Sequence, residues 1–168
     1  KLVDKACALK EVDGIISKSN SAVLSILVAD CIPIFLFNPI TKYFGLIHSG
    51  WRGTVKNISQ NAINKLKDEG DNSNDILAII GPSIGQCCFE VGPEVASKFD
   101  SSYSFRGKKY RMMLNLKQIV KDQLIQSGVK RDNIFLSNQC TYCEKELFHS
   151  YRRQGRSAGR MIAICGWN

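Results

Sequence analysis

The chain has 168 residues, of which 44% are hydrophobic and 23% are charged, a balance close to the average of globular proteins. This length fits one domain, and the composition excludes a disordered or collagen-like chain. The net charge of +8 favours anionic partners such as nucleic acid, a membrane surface or a phosphate-bearing small molecule. No apolar run reaches the roughly eighteen residues that a membrane-spanning helix needs, so we expect a soluble protein with no membrane partner.

Cysteine usage indicates the cellular compartment. The chain has seven cysteines, an odd number, and two of them, Cys87 and Cys88, are adjacent. A domain of this size builds a sufficient core without disulfides, and disulfides are rare in reducing compartments. We therefore expect a reducing compartment, and the protein is predicted to be cytoplasmic.

The first half of the chain predicts a β-hairpin. Short apolar runs at residues 22–29 and 32–37 are typical of buried strands. Asn38-Pro39 predicts a turn, and residues 43–48 predict the strand that returns beside the second run. Cys31 and His48 would then emerge at the same end of the hairpin.

An amphipathic helix is predicted over residues 54–69, with Gly70 as its end. Its inward face, at helical spacing, would carry Val55, Ile58, Ala62 and Leu66. Residues 71–75 are predicted as a surface loop, and residues 76–80 as a third strand.

The second half of the chain repeats this alternation. A second amphipathic helix is predicted over residues 116–127, and short apolar runs at residues 134–136 and 161–165 predict late strands. Strands that alternate with two helices predict a single domain over residues 1–168. The predicted class is α/β (α+β), with a mixed β-sheet and flanking helices.

Cys31 and His48 form the first candidate site. Cysteine and histidine suit zinc, copper or a nucleophilic thiol, and the hairpin would bring both within reach of one metal or of each other. Gly50 and Gly53 lie next to the predicted helix start, where backbone amides favour an anion. The residues alone leave one alternative open. In it, Cys31 and His48 have no chemical role and are a buried cysteine and a hydrogen-bonded histidine at two strand ends.

Two further segments carry cysteines. Residues 81–90 are rich in glycine and follow a predicted strand, but they lack the lysine and the spacing of a phosphate-binding loop. Cys140 and Cys143 would need a second pair of ligands to form a zinc knuckle. We interpret them as structural thiols, with a redox or metal role as the alternative, because the other cysteines are scattered along the sequence, at Cys7, Cys87, Cys88 and Cys165.

Residues 151–160 hold four arginines and two glycines, which predicts a mobile cationic loop. Arginine binds phosphate through two parallel N–H donors, so this loop is a candidate phosphate site. A solvated run of charge is the alternative. A second basic run, residues 106–111, is interpreted as surface charge only.

Four segments occur along the chain in the order ADCIPIFLFNP, GLIHSGWRGTVKN, GPSIGQCCFEVGPEV and CTYCEKELFHSYRRQGRSAGRM. Together they resemble the multicopper polyphenol oxidoreductase, or laccase-like, family, some of whose members are now assigned as purine nucleoside phosphorylases. The resemblance runs from about Val12 to Met161. It implies an α/β domain with a zinc or copper site that acts on purine nucleosides and phosphate. The implied reactions are phosphorolysis of adenosine, inosine, guanosine and methylthioadenosine, and deamination of adenosine.

The resemblance also implies the site residues. The family's metal ligands are two histidines and a cysteine, and its motifs match Cys31 and His48, which would also be catalytic. The third ligand, a histidine, is expected upstream of Lys1 and is absent, so the chain is expected to lack the family's N-terminal segment. His149 falls where many relatives have an aromatic residue.

Phosphorolysis also needs cationic groups that hold phosphate while it attacks the ribose. The candidate substrate-binding residues are Arg52, Arg152 and Arg153. Asp30 would either orient a metal ligand or cap a turn.

Three alternatives stay open at this stage. Copper-dependent oxidation of phenols is the runner-up, although two histidines in the whole chain cannot build several copper centres. A metal-free hydrolase would use Cys31 as nucleophile and His48 as base. A nucleic-acid-binding domain would explain the basic charge, but no recognisable reading motif is present, so we do not expect nucleic acid as a partner.

Overall fold

The computed structural model describes residues 11–167, which form ten strands and five helices. The strands are, in chain order, β1 (Gly14–Ser17), β2 (Val23–Val28), β3 (Ile32–Phe37), β4 (Phe44–Ser49), β5 (Leu77–Ile80), β6 (Glu90–Val91), β7 (Ser104–Arg106), β8 (Met112–Leu114), β9 (Ile134–Leu136) and β10 (Met161–Gly166). The helices are α1 (Trp51–Val55), α2 (Ile58–Asp68), α3 (Pro93–Ala96), α4 (Leu116–Gln126) and α5 (Tyr151–Gln154). Within residues 11–167, no helix has both the length and the apolar character needed to cross a membrane.

A five-stranded sheet in the order β1-β4-β3-β5-β9 forms the centre of the protein, and it is mixed as predicted. Its first three pairings are antiparallel, and the last, between β5 and β9, is parallel. The predicted hairpin is confirmed, because Ile32 lies opposite Ser49 and Pro33 lies opposite His48. Cys31 immediately precedes β3, so it lies at the same end of the sheet as His48.

Both faces of the central sheet are covered at β3 and β4, which explains the uninterrupted apolar runs in these strands, whereas Ile79 of β5 and Phe135 of β9 are exposed. On one face, α2 and α4 pack against side chains such as Ile34, Leu36 and Ile80. On the other face, the two-stranded sheet of β2 and β10 packs against Phe44 and Leu46. Close packing on both faces gives the end of the hairpin a rigid support.

A small third sheet, in the order β6-β8-β7, is not predicted from the sequence because its strands have only two or three residues. Strand β8 leads into α4, and the side chain of Asn115 caps this helix by accepting from the amide of Gln118 at 3.2 Å. The predicted start of this helix at Leu116 is therefore confirmed, and its end falls within one residue of the prediction.

The helix predicted over residues 54–69 is in fact two helices, α1 and α2. Asn57 separates them with a left-handed backbone conformation, at a φ of 53°. Helix α4 holds this turn, because Nε2 of Gln123 donates to the carbonyl of Thr54 at 2.9 Å and to Oδ1 of Asn57 at 2.8 Å. The break turns Val55 outward, where it is 36% exposed, so its predicted inward position is wrong.

The segment between α2 and β5 is also less exposed than predicted. Asp71 and Ser73 are buried, and Ser73–Asp75 forms one 3-10 turn. The surface loop predicted over residues 71–75 is therefore wrong in part. The amide of Asp71 donates to the carbonyl of Leu66 at 3.0 Å, and the side chain of Asn133 donates to the carbonyl of Asn74 at 3.0 Å, so neighbouring elements hold the segment in place.

The arginine-rich residues 151–160 are not an irregular loop. They begin with α5 and continue as a 3-10 turn at Gly155–Ser157. The hydroxyl of Ser150 caps α5 by accepting from the amide of Arg153 at 3.2 Å. A capped helical start corrects the loop prediction, which rested on the two glycines and the run of charge.

Candidate functional site

The end of the β3–β4 hairpin places a thiol beside an imidazole. Cys31 and His48 line the same cavity, and their side chains interact electrostatically. Nδ1 of His48 donates to Oδ1 of Asp13 at 2.9 Å, and the amide of His48 donates to the carbonyl of Asp13 at 2.7 Å. Gly50 leaves room for the sulfur, since a Cβ there would lie 3.1 Å from Sγ of Cys31. The structure thus brings the two predicted residues together and adds a carboxylate to them.

These neighbours set the charge of His48. The interaction with the side chain of Cys31 raises the pKa of His48, burial lowers it, and the hydrogen bond to Asp13 raises it again, giving a pKa of about 9. The imidazole therefore keeps its proton at neutral pH unless a metal displaces it. Because Asp13 occupies Nδ1, Nε2 is the ring nitrogen left for a metal.

A cavity of about 380 Å³ opens beside this pair. This volume lies in the range of small-molecule sites, roughly 300 to 1,000 Å³. Besides Cys31 and His48, its lining includes three aromatic side chains and two arginines, namely Trp51, Phe89, Tyr151, Arg152 and Arg160. Aromatic faces stack on planar rings, and guanidinium groups bind anions. The lining therefore suits one ligand that has both a flat ring and an anionic group, or two ligands that have one each.

Asp30 joins the hairpin to the opposite wall of the cavity. It is buried and has a φ of 80°, a conformation that aspartate tolerates better than most residues. Its Oδ1 accepts from Oγ1 of Thr141 at 2.6 Å. Its Oδ2 accepts from Oγ of Ser150 at 3.0 Å and from the amide of Arg152 at 2.7 Å. Of the two roles expected for Asp30, the structure supports the capping one, because these donors hold the start of α5.

Arg152 and Arg160 are the arginines that line the cavity. Nη1 of Arg152 donates to the carbonyl of Glu90 at 2.6 Å, and its guanidinium lies 5.5 Å from the centre of the Phe89 ring. Nη1 of Arg160 donates to the neighbouring carbonyls of its own segment. Each guanidinium has five N–H donors, so these contacts position the group and leave donors for an anion. Arg160 belongs to the candidate phosphate segment, residues 151–160, but it was not among the three arginines predicted to bind substrate.

Arg153 and Arg52 lie outside the cavity lining. Nη1 of Arg153 donates to the carbonyls of Thr141 and Tyr142 at 2.8 and 2.7 Å. Arg52 is exposed, and its guanidinium lies 4.2 Å from the centre of the Trp51 ring. The expectation that these two residues bind substrate gains no support from their positions, since backbone carbonyls engage Arg153 and an indole ring engages Arg52.

His149 is exposed and also lies outside the cavity lining. Its ring is packed against Gly159, where a Cβ would approach to 2.6 Å. Among the residues that the structure describes, Cys31 and His48 are therefore the sulfur and nitrogen donors of this cavity.

Four cysteines that lie in two distant segments of the sequence come together in space. Cys87 and Cys88 lie beside Cys140 and Cys143, and the four sulfurs lie within 4.8 Å of one another. Cys165 is buried in the core between the central sheet and the two-stranded sheet, and Cys7 lies outside the described residues. The sequence did not reveal this group because more than fifty positions separate the two pairs.

Asp13 was not predicted from the sequence as a site residue. It precedes β1, whose pairing with β4 sets Gly14 opposite Ile47 and therefore brings Asp13 to His48. The short apolar run GIIS is a strand signal, and pairing it with the hairpin would have found the contact.

The sequence matches, over residues 1–168, the family described as multi-copper polyphenol oxidoreductase laccase. The purine nucleoside phosphorylase YlmD of Bacillus subtilis is 34% identical over 166 residues, which cover 95% of this chain and 60% of that protein. The adenosine deaminase RL5 of an unknown prokaryotic organism is 32% identical over 167 residues, which cover 94% of this chain and 63% of that protein.

A solved structure agrees with these matches. The crystal structure of YlmD from Geobacillus stearothermophilus aligns with a TM-score of 0.89 at 33% identity, covering 94% of this chain and 61% of that chain. This chain therefore spans about three fifths of the length of the relatives that it matches.

Proposed function

The chain belongs to the family of multi-copper polyphenol oxidoreductase laccases, as its four sequence motifs predicted. From this premise we propose that the protein is a cytoplasmic enzyme of purine nucleosides, which it cleaves with phosphate and, in the case of adenosine, also deaminates. Relatives named as purine nucleoside phosphorylase and as adenosine deaminase support this substrate class. The observation that carries the proposal is the neighbouring Cys31 and His48 in a cavity lined by aromatic rings and arginines.

The cavity lining matches the two parts of the proposed reactants. A purine is flat and aromatic, and stacking a base on an aromatic side chain is worth about 1–3 kcal/mol. Trp51, Phe89 and Tyr151 offer such faces. Inorganic phosphate carries negative charge at neutral pH, and Arg152 and Arg160 offer planar donors for it.

The residues present also fit a metal ion. Sγ of Cys31 and Nε2 of His48 would hold it, and a thiolate with an imidazole suits zinc and is accepted by copper. Asp13 supports His48 in the carboxylate–histidine arrangement common behind metal ligands. The described part of the chain supplies these two donors. When bound, such an ion supplies Lewis-acid chemistry, polarising oxygen atoms and favouring deprotonation of water at neutral pH.

In phosphorolysis, a phosphate oxygen forms a bond to C1′ of the ribose while the bond from C1′ to the purine nitrogen breaks. The purine leaves with the electron pair of that bond and takes up a proton. Arg152 and Arg160 hold the phosphate in this proposal, and the aromatic side chains hold the purine. Fixing both reactants in one cavity removes much of the entropic barrier to their encounter.

Deamination of adenosine exchanges the amino group at C6 of the purine for the oxygen of water and releases ammonia. It needs no phosphate. In this proposal the Cys31–His48 site serves both reactions, whereas Arg152 and Arg160 serve phosphorolysis. The two activities can therefore be separated by substitutions on different walls of the cavity.

A metal-free hydrolase is the second candidate, because a thiol and an imidazole in one cavity could also serve as a nucleophile and its base. Dependence on metal separates the two. The purified protein is incubated with adenosine, with and without phosphate, and inosine, adenine and hypoxanthine are quantified. We expect inosine in both reactions, free bases only with phosphate, and loss of all products after chelation, with recovery on adding zinc. Unchanged turnover after chelation would favour the metal-free hydrolase, and absence of any nucleoside product would refute the proposed function.

A further inference from the structure

Two loops that follow neighbouring strands bring four cysteines to one place. Strands β5 and β9 are parallel, so the loops after them leave the same edge of the central sheet. A parallel bridge joins Ser83 to Cys140, and the amide of Thr141 donates to the carbonyl of Ser83 at 3.2 Å. Backbone contacts therefore hold together the two pairs of cysteines, one from each loop: Cys87 with Cys88, and Cys140 with Cys143.

The four sulfurs have the spacing of a closed metal site. All lie within 4.8 Å of one another, and Sγ of Cys143 lies 3.8 Å from that of Cys87 and 3.3 Å from that of Cys88. A zinc–sulfur bond of about 2.3 Å in a tetrahedron puts the sulfurs about 3.8 Å apart. All six cysteines of the described chain are free thiols. We propose that these four residues, the thiol cluster, bind one structural zinc ion as thiolates, apart from the Cys31–His48 pair.

A backbone amide contacts one sulfur of the thiol cluster. The amide of Gly85 donates to Sγ of Cys140 at 3.2 Å. Amide donors on a ligating sulfur orient it and stabilise its charge, as neighbouring groups do in established metal sites.

Positive charge also lies close to the thiol cluster. Four thiolates and one Zn²⁺ carry a net charge of −2, which needs compensation in a partly buried place. Lys117 is buried, interacts electrostatically with the thiols of Cys140 and Cys87, and donates to the carbonyl of Gln139 at 2.6 Å. Arg153 donates to two carbonyls of the turn between Cys140 and Cys143. The zinc site thus explains a buried lysine that the proposed nucleoside chemistry does not use.

Gly85 leaves the space that the sulfurs fill. A Cβ at this position would lie 3.2 Å from Sγ of Cys87 and 3.4 Å from Sγ of Cys140. A larger side chain would push the two sulfurs apart or displace the loop. Four thiolates with no open position indicate a structural rather than a catalytic zinc site.

The zinc ion would also stabilise one wall of the cavity. The loop after β5 carries Ile84 and Phe89 of the cavity lining, and the loop after β9 carries Thr141, which donates to Asp30. Linking these loops through one metal would hold the wall that positions α5. Zinc binding by the thiol cluster does not depend on which reaction the cavity performs.

Metal content tests the proposal, in the Cys31→Ala background so that the cavity thiol contributes nothing. We expect mass spectrometry to find about one tightly held zinc ion per chain in the Cys31→Ala protein. Adding the Cys140→Ser/Cys143→Ser pair should remove this zinc. Adding the matched control Cys165→Ser instead should leave it bound. Cobalt loading should give the intense sulfur-to-metal absorption of four thiolates in the Cys31→Ala protein. Gly85→Val, which keeps all four thiols, should weaken zinc binding.

Several results would overturn the proposal. They are zinc that persists in the serine pair, iron in place of zinc, a native disulfide between Cys88 and Cys143, and a folded chain that holds no metal after growth with zinc. If the serine pair does not fold, thiol labelling of the unmodified chain decides instead. Zinc removal should expose all four cluster cysteines to the reagent together, and equal labelling before and after removal would contradict the site.

Discussion

Oδ1 of Asp13 accepts a hydrogen bond from Nδ1 of His48 at 2.9 Å, although thirty-five positions separate the two residues in the chain. The amide of His48 donates to the carbonyl of Asp13 at 2.7 Å, so main chain and side chain hold the same orientation. A carboxylate in this place fixes the tautomer of an imidazole and strengthens its free nitrogen as a ligand.

Removing this charge should weaken a metal at His48. We expect Asp13→Asn to lower zinc affinity of the cavity by about 10- to 100-fold, the usual effect of losing such a partner. Competition with a coloured chelator measures it, and the cavity zinc is identified by its loss in Cys31→Ala. Asp132→Asn, which changes an exposed acid elsewhere, is the matched control. Equal affinities in the two variants would mean that Asp13 does not support a ligand.

The raised pKa of His48 predicts how the stability of the metal-free protein depends on pH. The pKa is about 9 in the folded chain, against 6.5 for the unperturbed group. A pKa raised by folding stabilises the fold fully below the unfolded value, and this contribution is lost as the pH rises through the folded value. Between about pH 6.5 and 9, the melting temperature should therefore fall more steeply than in His48→Gln. If the melting temperatures of the two proteins fell equally with pH, a protonated His48 stabilised by Cys31 and Asp13 would be contradicted.

Arg152 should matter for phosphate more than for adenosine. Replacing it with lysine keeps the charge but removes the planar donors, so Arg152→Lys should raise the KM for phosphate in phosphorolysis. Deamination should change less, because it uses no phosphate. Arg156→Lys, a change at an exposed arginine outside the cavity lining, is the control. Equal loss of both activities in Arg152→Lys would assign the residue a purely structural role.

Thr141 should contribute to stability through Asp30. Its hydroxyl donates to Oδ1 of the buried carboxylate at 2.6 Å, and Thr141→Val leaves that oxygen without this donor. We expect the free energy of unfolding to fall by about 1–3 kcal/mol, measured by urea denaturation. Thr141→Ser keeps the hydroxyl and should lose much less. If valine and serine destabilise equally, packing of the methyl group rather than the hydrogen bond is responsible.

The parts of the fold that short-range patterns encode were predictable. The β3–β4 hairpin follows from two apolar runs around Asn38-Pro39, and the start of α4 follows from its helical spacing and its cap. The break at Asn57 was not predictable, because asparagine carries only a weak local signal for a left-handed turn. The contact that fixes it comes from Gln123, sixty-six positions away.

The candidate site also has parts that could be predicted from the sequence and parts that could not. Cys31 and His48 belong to one hairpin, so their approach could be inferred from the sequence. The arginines could not be ranked, because only the folded chain shows that carbonyls engage Arg153 while Arg160 lines the cavity. The thiol cluster depends on the parallel pairing of β5 with β9, a contact between distant segments that local patterns do not encode.

Nucleoside turnover by Cys31→Ala tests the central claim most directly. Cys31 is half-buried and its replacement removes one sulfur, so the variant should fold, as circular dichroism and thermal unfolding can verify. Adenosine conversion is followed with and without phosphate, alongside the unmodified chain and Cys165→Ala. The Cys31–His48 site predicts that Cys31→Ala loses both phosphorolysis and deamination while Cys165→Ala retains them. Undiminished formation of inosine and free base by a folded Cys31→Ala protein would contradict it.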